Sequence, residues 1–446
     1  MAEWNWQRIP AEYLVTNVRL CRGGKLARRR GFLHVRKGRV EGLGVGTPAR
    51  EGIPVLDGGG LVCAPGLVDV HVHFREPGQE EKETIATGAA AAAAGGFTSV
   101  VTMPNTVPPV DSAATVRYIR DRAQEAGLCR VFPTGAVSKG QRGEELTEFG
   151  DLVQAGAVGF TDDGRPVANG KLMQYALQYA RMLGVPVTSH AEDPTLSGRG
   201  VMHAGYWSVK LGLPGIPRAA EDVMVFRDVE LARATGGRLH VAHVSTRGAV
   251  AIIRRAKEEG VPVTAEVTPH HLVLDHSCCR DFSPLYKMNP PLREEADIEA
   301  VAQALAEGVI DCVATDHAPH TAMEKELMFD QAPFGVIGLE TALAVCHTWL
   351  VKEGRLDLGT LIARMTEQAA ACYGLPVGRL EEGVDADFIL FDPDAEWTVG
   401  PEHLRSRSRN TPFLGQRLTG RVRATFLAGR LTWRDTVERA AAARGD

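Results

Sequence analysis

The sequence predicts an α/β protein built as a closed (β/α)₈ TIM-like barrel, with a small β-sandwich domain formed by both chain ends. Eight short, apolar, β-rich runs alternate with longer helical stretches between residues 64 and 370, the pattern of repeated strand and helix units on a parallel sheet. Polar clusters follow the carboxyl ends of these runs, where barrel enzymes build their sites. Both chain ends instead have the alternating pattern of antiparallel strands.

The barrel is predicted over residues 64–374. Its eight expected strands are, in chain order, GLVDVHVHF, FTSVVTMPN, RVFPTGAV, AVGFTDDG, PVTSHAED, LHVAHVST, PVTAEVTPHH and IDCVATDH. The segments between them are long enough to hold a crossover helix. Six consecutive alanines follow Gly88, and this stretch, which ends at Gly96, is predicted to be a closely packed barrel helix because alanine favours helix and glycine ends it.

The two ends of the chain are predicted to form one discontinuous domain, residues 1–63 and 375–446. Strand patterns occur in GFLHVRKGRVEGLGVG near the start and in ADFILFDPDAEWTV and VRATFLAGRLTW near the end. Because the ends of a barrel chain lie near each other in space, both flanks are expected to pair into one small β-sandwich. The closing residues ERAAAARGD are predicted to be a frayed helix.

Composition narrows the class of protein. The 50 Lys and Arg residues against 55 Asp and Glu residues leave a formal net charge of −5, the wrong sign for a nucleic-acid binder. No apolar stretch reaches the ~20 residues that span a bilayer, so we expect no membrane contact and a cytoplasmic protein. The eight cysteines have no CxxC spacing, and reduced thiols are expected.

Histidines and aspartates at the ends of five predicted strands indicate a metal site. His71 and His73 are two residues apart on one strand, so their side chains leave the same face. A lone HxH is often two solvated histidines, and a single Asp or His at a barrel mouth is often a helix cap. Five strands that together supply four His and two Asp instead predict a divalent ion such as zinc. The other residues of this type are His190, His243, Asp316 and one of the adjacent pair Asp162 and Asp163.

Several long strings resemble first-type bacterial dihydroorotases of the amidohydrolase superfamily. They are APGLVDVHVHFREPG, GGFTSVVTMPNT, AEVTPHHL, YKMNPPLR, ATDHAPH, APFGVIGLET and NTPFLGQRLTGRV, and together they cover nearly the whole chain. Strings of this length are far more specific than a short motif. The resemblance implies a zinc-dependent enzyme that interconverts N-carbamoyl-L-aspartate and (S)-dihydroorotate in de novo pyrimidine (UMP) synthesis.

The resemblance also implies the ligands of one or two zinc ions. The superfamily's commonest bridging ligand is a carboxylated lysine after the fourth strand, but GFTDDGRPV holds no lysine. Similarity to the first-type enzymes places the bridging carboxylate at the second residue of the Asp162-Asp163 pair. Strand alternation lets one of the two face the metal, so Asp162 is expected to lie behind it. The implied ligands are His71, His73, Asp163, His190, His243 and Asp316.

Substrate contacts are implied in the same way. Arg75 resembles the family's anchor for the substrate carboxylate, with the amides of Asn105 and Asn289 as added donors. A surface ion pair of Arg75 with Glu76 or Glu80 is the alternative. The residues expected to line the pyrimidine ring are His320, Phe334 and Gly335. From their positions along the strands, His240, His270 and His271 are expected to be structural, and His317 is expected to hydrogen-bond locally.

Asp316 is expected to be the catalytic residue. Zinc lowers the pKa of bound water to about 7, and Asp316 is expected to accept the water proton and pass it to the departing ring nitrogen.

Three alternative functions are considered: an allantoinase, a dihydropyrimidinase, and a non-catalytic partner of aspartate transcarbamoylase. Arg75 and the missing lysine after the fourth strand argue against an allantoinase and a dihydropyrimidinase. The retained metal-ligand residue types argue against a non-catalytic partner. We expect a homo-oligomer, and a complex with the transcarbamoylase stays open.

Overall fold

The structure is a computed structural model that describes residues 9–46, 48 and 52–436. The helix predicted for the closing residues ERAAAARGD lies outside these residues. Within them the chain forms a barrel and a separate β domain built from both ends, which confirms the predicted fold class.

Parallel strands form a closed ring of eight positions. Seven positions are strands: Leu67–Val72, Phe97–Thr102, Arg130–Pro133, Val187–Ser189, Leu239–Val241, Val263–Val267 and Cys312–Val313. The fourth position is reduced to Phe160, which pairs in parallel with Gly135 and Val187. The ring closes where Val72 pairs with His317. The predicted fourth strand is therefore much shorter than its run suggests; Gly159, which weakens a strand, stands next to Phe160.

Helices follow the barrel positions and cover the outside of the ring. The longer ones are Ile85–Gly95, Ala113–Ala126, Phe149–Ala155, Gly170–Leu183, Ala219–Thr235, Arg247–Glu258, Glu295–Glu307, Leu358–Arg364 and Glu367–Tyr373. Shorter helices are Pro194–Ser197, Tyr206–Leu211, Pro269–Val273, Ala322–Lys325 and Ala342–Cys346, the last continued by a π-helical turn at His347–Val351. Short 3₁₀ turns lie at Lys139–Gln141, His276–Asp281, Pro284–Tyr286 and Pro401–His403. None of the described helices has both the length and the apolar character needed to cross a membrane.

The alanine-rich helix Ile85–Gly95 is closely packed, as predicted. It begins at Thr84, whose side chain accepts from the backbone of Thr87, and it ends at Gly96 with φ of 93°. A Cβ atom added to Gly88 would lie 2.5 Å from the ring of Phe74. The run of small residues therefore lets the helix approach the end of the first barrel strand.

The β domain is one hydrogen-bonded network of nine strands from both chain ends. They are Glu12–Arg22, Lys25–Leu26, Gly31–Arg36, Arg39–Val45, Val55–Asp57, Val62–Pro65, Phe388–Thr398, Arg417–Leu427 and Arg430–Arg434. The strand Val62–Pro65 joins the two ends, since it pairs in parallel with Glu12–Arg22 and antiparallel with Phe388–Thr398. Buried side chains from both ends, including Tyr13, Leu33 and Phe426, form one apolar cluster.

The return segment, residues 399–416, connects the last two long strands of the β domain and lies against the barrel mouth. Its Ser408 hydroxyl donates to the Lys82 carbonyl at 2.7 Å. Its Arg407 backbone N–H donates to the Glu83 carboxylate at 3.0 Å, and the Ser406 hydroxyl donates to the same carboxylate. The β domain therefore contributes structure directly beside the ends of the barrel strands. A short strand pair, Met202–His203 with Gly215–Ile216, lies outside both sheets.

Candidate metal centre

Five barrel positions bring all six predicted metal ligands together at the mouth. Each of the six residues is buried, with at most 8% of its surface exposed. Asp163 occupies the middle. Its Oδ1 lies 3.4 Å from His71 Nε2, 3.6 Å from His190 Nδ1 and 3.7 Å from His243 Nε2, and its Oδ2 lies 3.4 Å from His73 Nε2. Asp316 completes the group, with its Oδ1 3.1 Å from His73 Nε2.

The ligand atoms form two sets of three that share Asp163. His71, His73 and Asp163 are one set, and Asp163, His190 and His243 are the other; within each set the ligand atoms lie within 4.8 Å of one another. A carboxylate has two oxygens, so one aspartate between two such sets has the arrangement of a ligand that bridges two ions.

Unpaired buried atoms indicate that a cation belongs here. Among the described residues, His71 Nε2 and Asp163 Oδ1 have no hydrogen-bond partner, although both are fully buried and lie only 3.4 Å apart. Native proteins pair nearly all buried polar atoms. Imidazole nitrogens and carboxylate oxygens are the donor set of zinc and similar divalent ions, so the residues present fit a divalent metal.

Electrostatics keep the two aspartates ionised. Burial raises the pKa of Asp316, but the neighbouring His73 and His71 outweigh burial and hold that pKa well below its ordinary value. Burial raises the pKa of Asp163 as well, and again His71 and the surrounding imidazoles bring the pKa well below its ordinary value. Both side chains are therefore carboxylates at neutral pH, able to bind a cation or accept a proton.

Two residues orient the histidines of the first strand. His71 Nδ1 lies 2.6 Å from Glu266 Oε1, and His73 Nδ1 lies 2.8 Å from Asn105 Oδ1. A carboxylate or amide oxygen accepts hydrogen bonds, so Nδ1 of each ring carries a hydrogen, and Nε2, which faces the centre, is the atom available to a metal ion. The sequence reasoning missed Glu266. Its signal was a single charged residue inside the apolar strand Val263–Val267.

Three predicted site residues have left-handed backbone conformations. The φ angles of Arg75, His243 and Asp316 are 61°, 32° and 47°. Non-glycine residues rarely adopt such angles, and each costs of order 1–3 kcal/mol unless the surrounding structure fixes it. The three residues follow the first, sixth and eighth barrel strands, where the backbone bends to turn the side chains towards the mouth.

A cavity of about 190 Å³ opens at the centre. It is lined by His73, Asp163, His190, His243 and Asp316, and by all six residues predicted to bind substrate: Arg75, Asn105, Asn289, His320, Phe334 and Gly335. The arrangement joins a candidate divalent-cation site to a pocket that holds one buried guanidinium, and this combination suits a small anionic substrate.

Comparison with known proteins identifies the family. The model of the family described as dihydro-orotase-like matches residues 60–249. A dihydroorotase from Anaeromyxobacter dehalogenans (strain 2CP-C) is 52% identical over 399 residues, which is 89% of this chain and 92% of that protein. One from Pelotomaculum thermopropionicum is 50% identical over 93% of this chain and 96% of that protein. The chain belongs to the dihydroorotase family.

Solved structures with the same fold are named hydantoinase or dihydropyrimidinase. The L-hydantoinase (dihydropyrimidinase) from Arthrobacter aurescens has a TM-score of 0.85 and 27% identity, over 95% of this chain and 96% of that one. The dihydropyrimidinase from Brevibacillus agri NCHU1002 has a TM-score of 0.83 over 95% of both chains, and at 23% identity it supports the fold alone. Sequence identity to the dihydroorotases is about twice as high.

Arg75 of this dihydroorotase-family barrel is a buried cation that forms no ion pair with the described residues. It is buried, and its Nε donates to the Pro319 carbonyl at 3.2 Å. Within the described part of the chain no carboxylate lies within the 4.0 Å of an ion pair with it. Glu76 instead accepts from Tyr118 and Arg122, and Glu80 accepts from a backbone N–H. The alternative of a surface ion pair with Glu76 or Glu80 is therefore wrong.

Two further residues of the dihydroorotase-family pocket donate hydrogen bonds within the protein. Asn289 Nδ2 donates to Glu192 Oε2 at 2.6 Å, so its Oδ1 is the atom left unpaired among described residues. The expectation that Asn289 donates to substrate stays a prediction. His320 Nε2 donates to the Phe334 carbonyl at 2.8 Å, and burial and Arg75 lower the pKa of His320 to about 2. His320 is thus neutral, and its Nδ1 lies 3.6 Å from Glu324 Oε2.

Five polar residues that the sequence analysis placed outside the metal site lie outside the centre in the family barrel as well. Asp162 faces away, since it accepts from the backbone and hydroxyl of Ser138. His240 contacts Glu266, and His271 lies between Thr268 and the Pro290 carbonyl, which agrees with structural roles. His317 Nε2 lies 3.3 Å from the Glu83 carboxylate, and His270 is buried beside His271.

Proposed function

We propose that the protein is a zinc-dependent dihydroorotase that reversibly interconverts N-carbamoyl-L-aspartate and (S)-dihydroorotate in de novo pyrimidine synthesis. One observation carries the proposal: the six-ligand centre opens into a pocket whose buried guanidinium, Arg75, has no carboxylate partner among the described residues. Dihydroorotate bears a carboxylate on its ring, whereas allantoin and dihydrouracil do not. The high identity to proteins named dihydroorotase supports the same substrate.

The proposed zinc ligands are the six residues of the centre, and the shared position of Asp163 supports two ions per site. A divalent ion bound there lowers the pKa of a coordinated water to about 7 and polarises a carbonyl oxygen. Glu266 and Asn105 fix the imidazole tautomers that leave Nε2 free for this ion.

The pocket residues bind and orient the substrate in this proposal. Arg75 binds the ring carboxylate bidentately through its guanidinium, and Asn105 Nδ2 adds a neutral donor. Asn289 and His320 line the same pocket and are proposed to contact the ring. Phe334 covers the ring, and Gly335 leaves room beside it.

Asp316 moves the proton. As a carboxylate at neutral pH it accepts a proton from the attacking water and delivers it to the ring nitrogen as the amide bond breaks. In the reverse direction it takes the proton from the carbamoyl nitrogen as the ring closes. Asp316→Asn should reduce turnover by at least about 10²-fold while the protein keeps most of its zinc. Near-normal turnover of this variant would refute the proton-transfer role.

The decisive experiment is a three-substrate assay of the purified zinc enzyme with dihydroorotate, allantoin and dihydrouracil. Hydrolysis of dihydroorotate in clear preference is expected, and preference for either other substrate would refute the proposal. Arg75→Ala should lower kcat/KM for dihydroorotate by about 10²-fold or more, because it removes one partner of a buried charge pair. The same change should alter metal content little, since Arg75 contacts no proposed ligand side chain.

We further propose that the enzyme works in the cytoplasm as a homo-oligomer and that it forms a complex with aspartate transcarbamoylase. The family resemblance supports these statements. Gel filtration of the enzyme alone and mixed with the transcarbamoylase tests them. A monomeric elution volume and the absence of a joint peak would refute the two assembly proposals.

A further inference from the structure

Asn410 lies in the return segment of the β domain and reaches two loops of the barrel mouth. We propose that Asn410 is a positioning residue that holds these two substrate-binding loops at a fixed spacing. The inference rests on the proposed function, because that function makes residues of both loops contact substrate. Asn410 is 3% exposed and is not among the residues that line the cavity.

The side chain of Asn410 uses both ends of its amide. Its Oδ1 accepts from the His320 backbone N–H at 3.2 Å, while its Nδ2 donates to the Ala318 carbonyl at 3.0 Å and to the Gly335 carbonyl at 3.2 Å. Its own backbone carbonyl accepts from Ile337 N–H at 3.1 Å. One residue therefore bonds the loop 318–320 and the loop 334–337 at the same time.

These loops form one wall of the cavity, which includes His320, Phe334 and Gly335. They are in close contact, since Gly335 has φ of 120° and an added Cβ atom would lie 2.7 Å from the Ala318 Cβ. The loops also bond to each other directly, since the Ala318 N–H donates to the Val336 carbonyl at 2.9 Å and His320 Nε2 donates to the Phe334 carbonyl at 2.8 Å. Asn410 adds bonds to the carbonyls of Ala318 and Gly335, one in each loop, so its loss should loosen the wall and weaken substrate binding.

The return segment has anchors that do not involve Asn410. Ser406 and Arg407 bond to Glu83, and Ser408 bonds to the Lys82 carbonyl. The neighbouring Thr411 is as buried as Asn410, but its hydroxyl accepts from Phe413 N–H within the same segment. Removing the Thr411 hydroxyl therefore perturbs the segment and leaves both loops their bonds to Asn410.

The test compares Asn410→Ala with Thr411→Val in the zinc-loaded, full-length enzyme. We expect Asn410→Ala to raise KM for dihydroorotate about tenfold or more, because three hydrogen bonds to the loops are lost, while kcat changes less than about threefold and zinc content is unchanged. Thr411→Val should leave KM within about twofold of the parent value. Asn410→Asp keeps an acceptor for His320 but sets a carboxylate oxygen against the other carbonyls, so its KM should rise at least as much.

Hydrogen exchange of the substrate-free protein gives a readout that does not depend on activity. Residues 318–320 and 334–337 should exchange faster in Asn410→Ala than in the parent and in Thr411→Val. Unchanged exchange and KM, or equal effects in Thr411→Val, would overturn the role of Asn410. An inactive parent enzyme with the expected exchange difference would instead refute the proposed function. If Asn410→Ala does not fold, Asn410→Asp is measured by the same two assays.

Discussion

Exchanging Glu266 for glutamine should weaken metal binding while the barrel stays folded. Glu266 is fully buried, and its two oxygens lie 2.6 Å from His71 Nδ1 and 3.0 Å from His240 Nε2. A glutamine oxygen still accepts from His71. Its amide nitrogen still bonds to His240 if the His240 proton moves to Nδ1, which lies 2.8 Å from the Thr264 hydroxyl. The substitution therefore removes a charge and keeps the hydrogen bonds.

The expected loss of zinc affinity is about tenfold to a hundredfold, the usual effect of losing a partner that orients a ligand. This corresponds to about 1.4 to 2.8 kcal/mol of binding free energy. The physical reason is that the Glu266 carboxylate makes the His71 imidazole more electron-rich and fixes its tautomer. A neutral amide gives the same geometry with less polarisation of the ring.

Competition for zinc between the protein and a chromophoric chelator measures this change. Asp387→Asn is the matched control, because Asp387 is also a buried carboxylate but bonds to Arg130 and to the backbone of Ala428 in the β domain. The control should bind zinc as the parent does. Zinc affinity of Glu266→Gln within twofold of the parent, in a folded protein, would refute the orienting role of Glu266.

Three further predictions concern stability and metal. Gly88→Ala should lower the free energy of unfolding, measured in urea, by about 1–3 kcal/mol because the new Cβ atom would meet the Phe74 ring. The control Gly42→Ala should lower it by less than about 1 kcal/mol, because the nearest atom to its Cβ would be 3.9 Å away. Burial, Arg293 and Arg218 lower the pKa of His203 from 6.5 to about 4, so between these pH values the unfolded chain binds a proton that the folded chain does not, and the free energy of unfolding falls as pH falls. In His203→Asn the decrease in the free energy of unfolding between pH 7 and 4.5 should be smaller than in the parent by up to about 3 kcal/mol, and an equal decrease would contradict the lowered pKa. Treatment with a chelator should abolish dihydroorotate hydrolysis and lower Tm, and added zinc should restore the activity and the Tm. An active protein that is free of metal would refute the metal centre.

Local sequence pattern predicted much of the centre. The two-residue period of a strand put His71 and His73 on one face, and parallel strands of a barrel end at one rim, so the ends of distant runs had to meet. The resemblance to dihydroorotases then selected Asp163 over Asp162, and Asp162 does turn away to Ser138. The predicted length of the fourth strand was wrong, because a run of apolar residues in the sequence does not determine how many of them form hydrogen bonds with the neighbouring strands.

Residue types and their spacing along the chain determined the barrel, the paired chain ends and the kind of metal ligand, because strand alternation and helix packing are set by neighbours in sequence. Tertiary structure alone decided that Glu266 lies behind His71, that Asn289 turns its oxygen free, and that Asn410 of the β domain bonds two barrel loops. These contacts join residues between 75 and 195 positions apart. Their geometry depends on how loops and domains pack, and the periodic pattern of apolar and polar residues along the chain does not predict that packing.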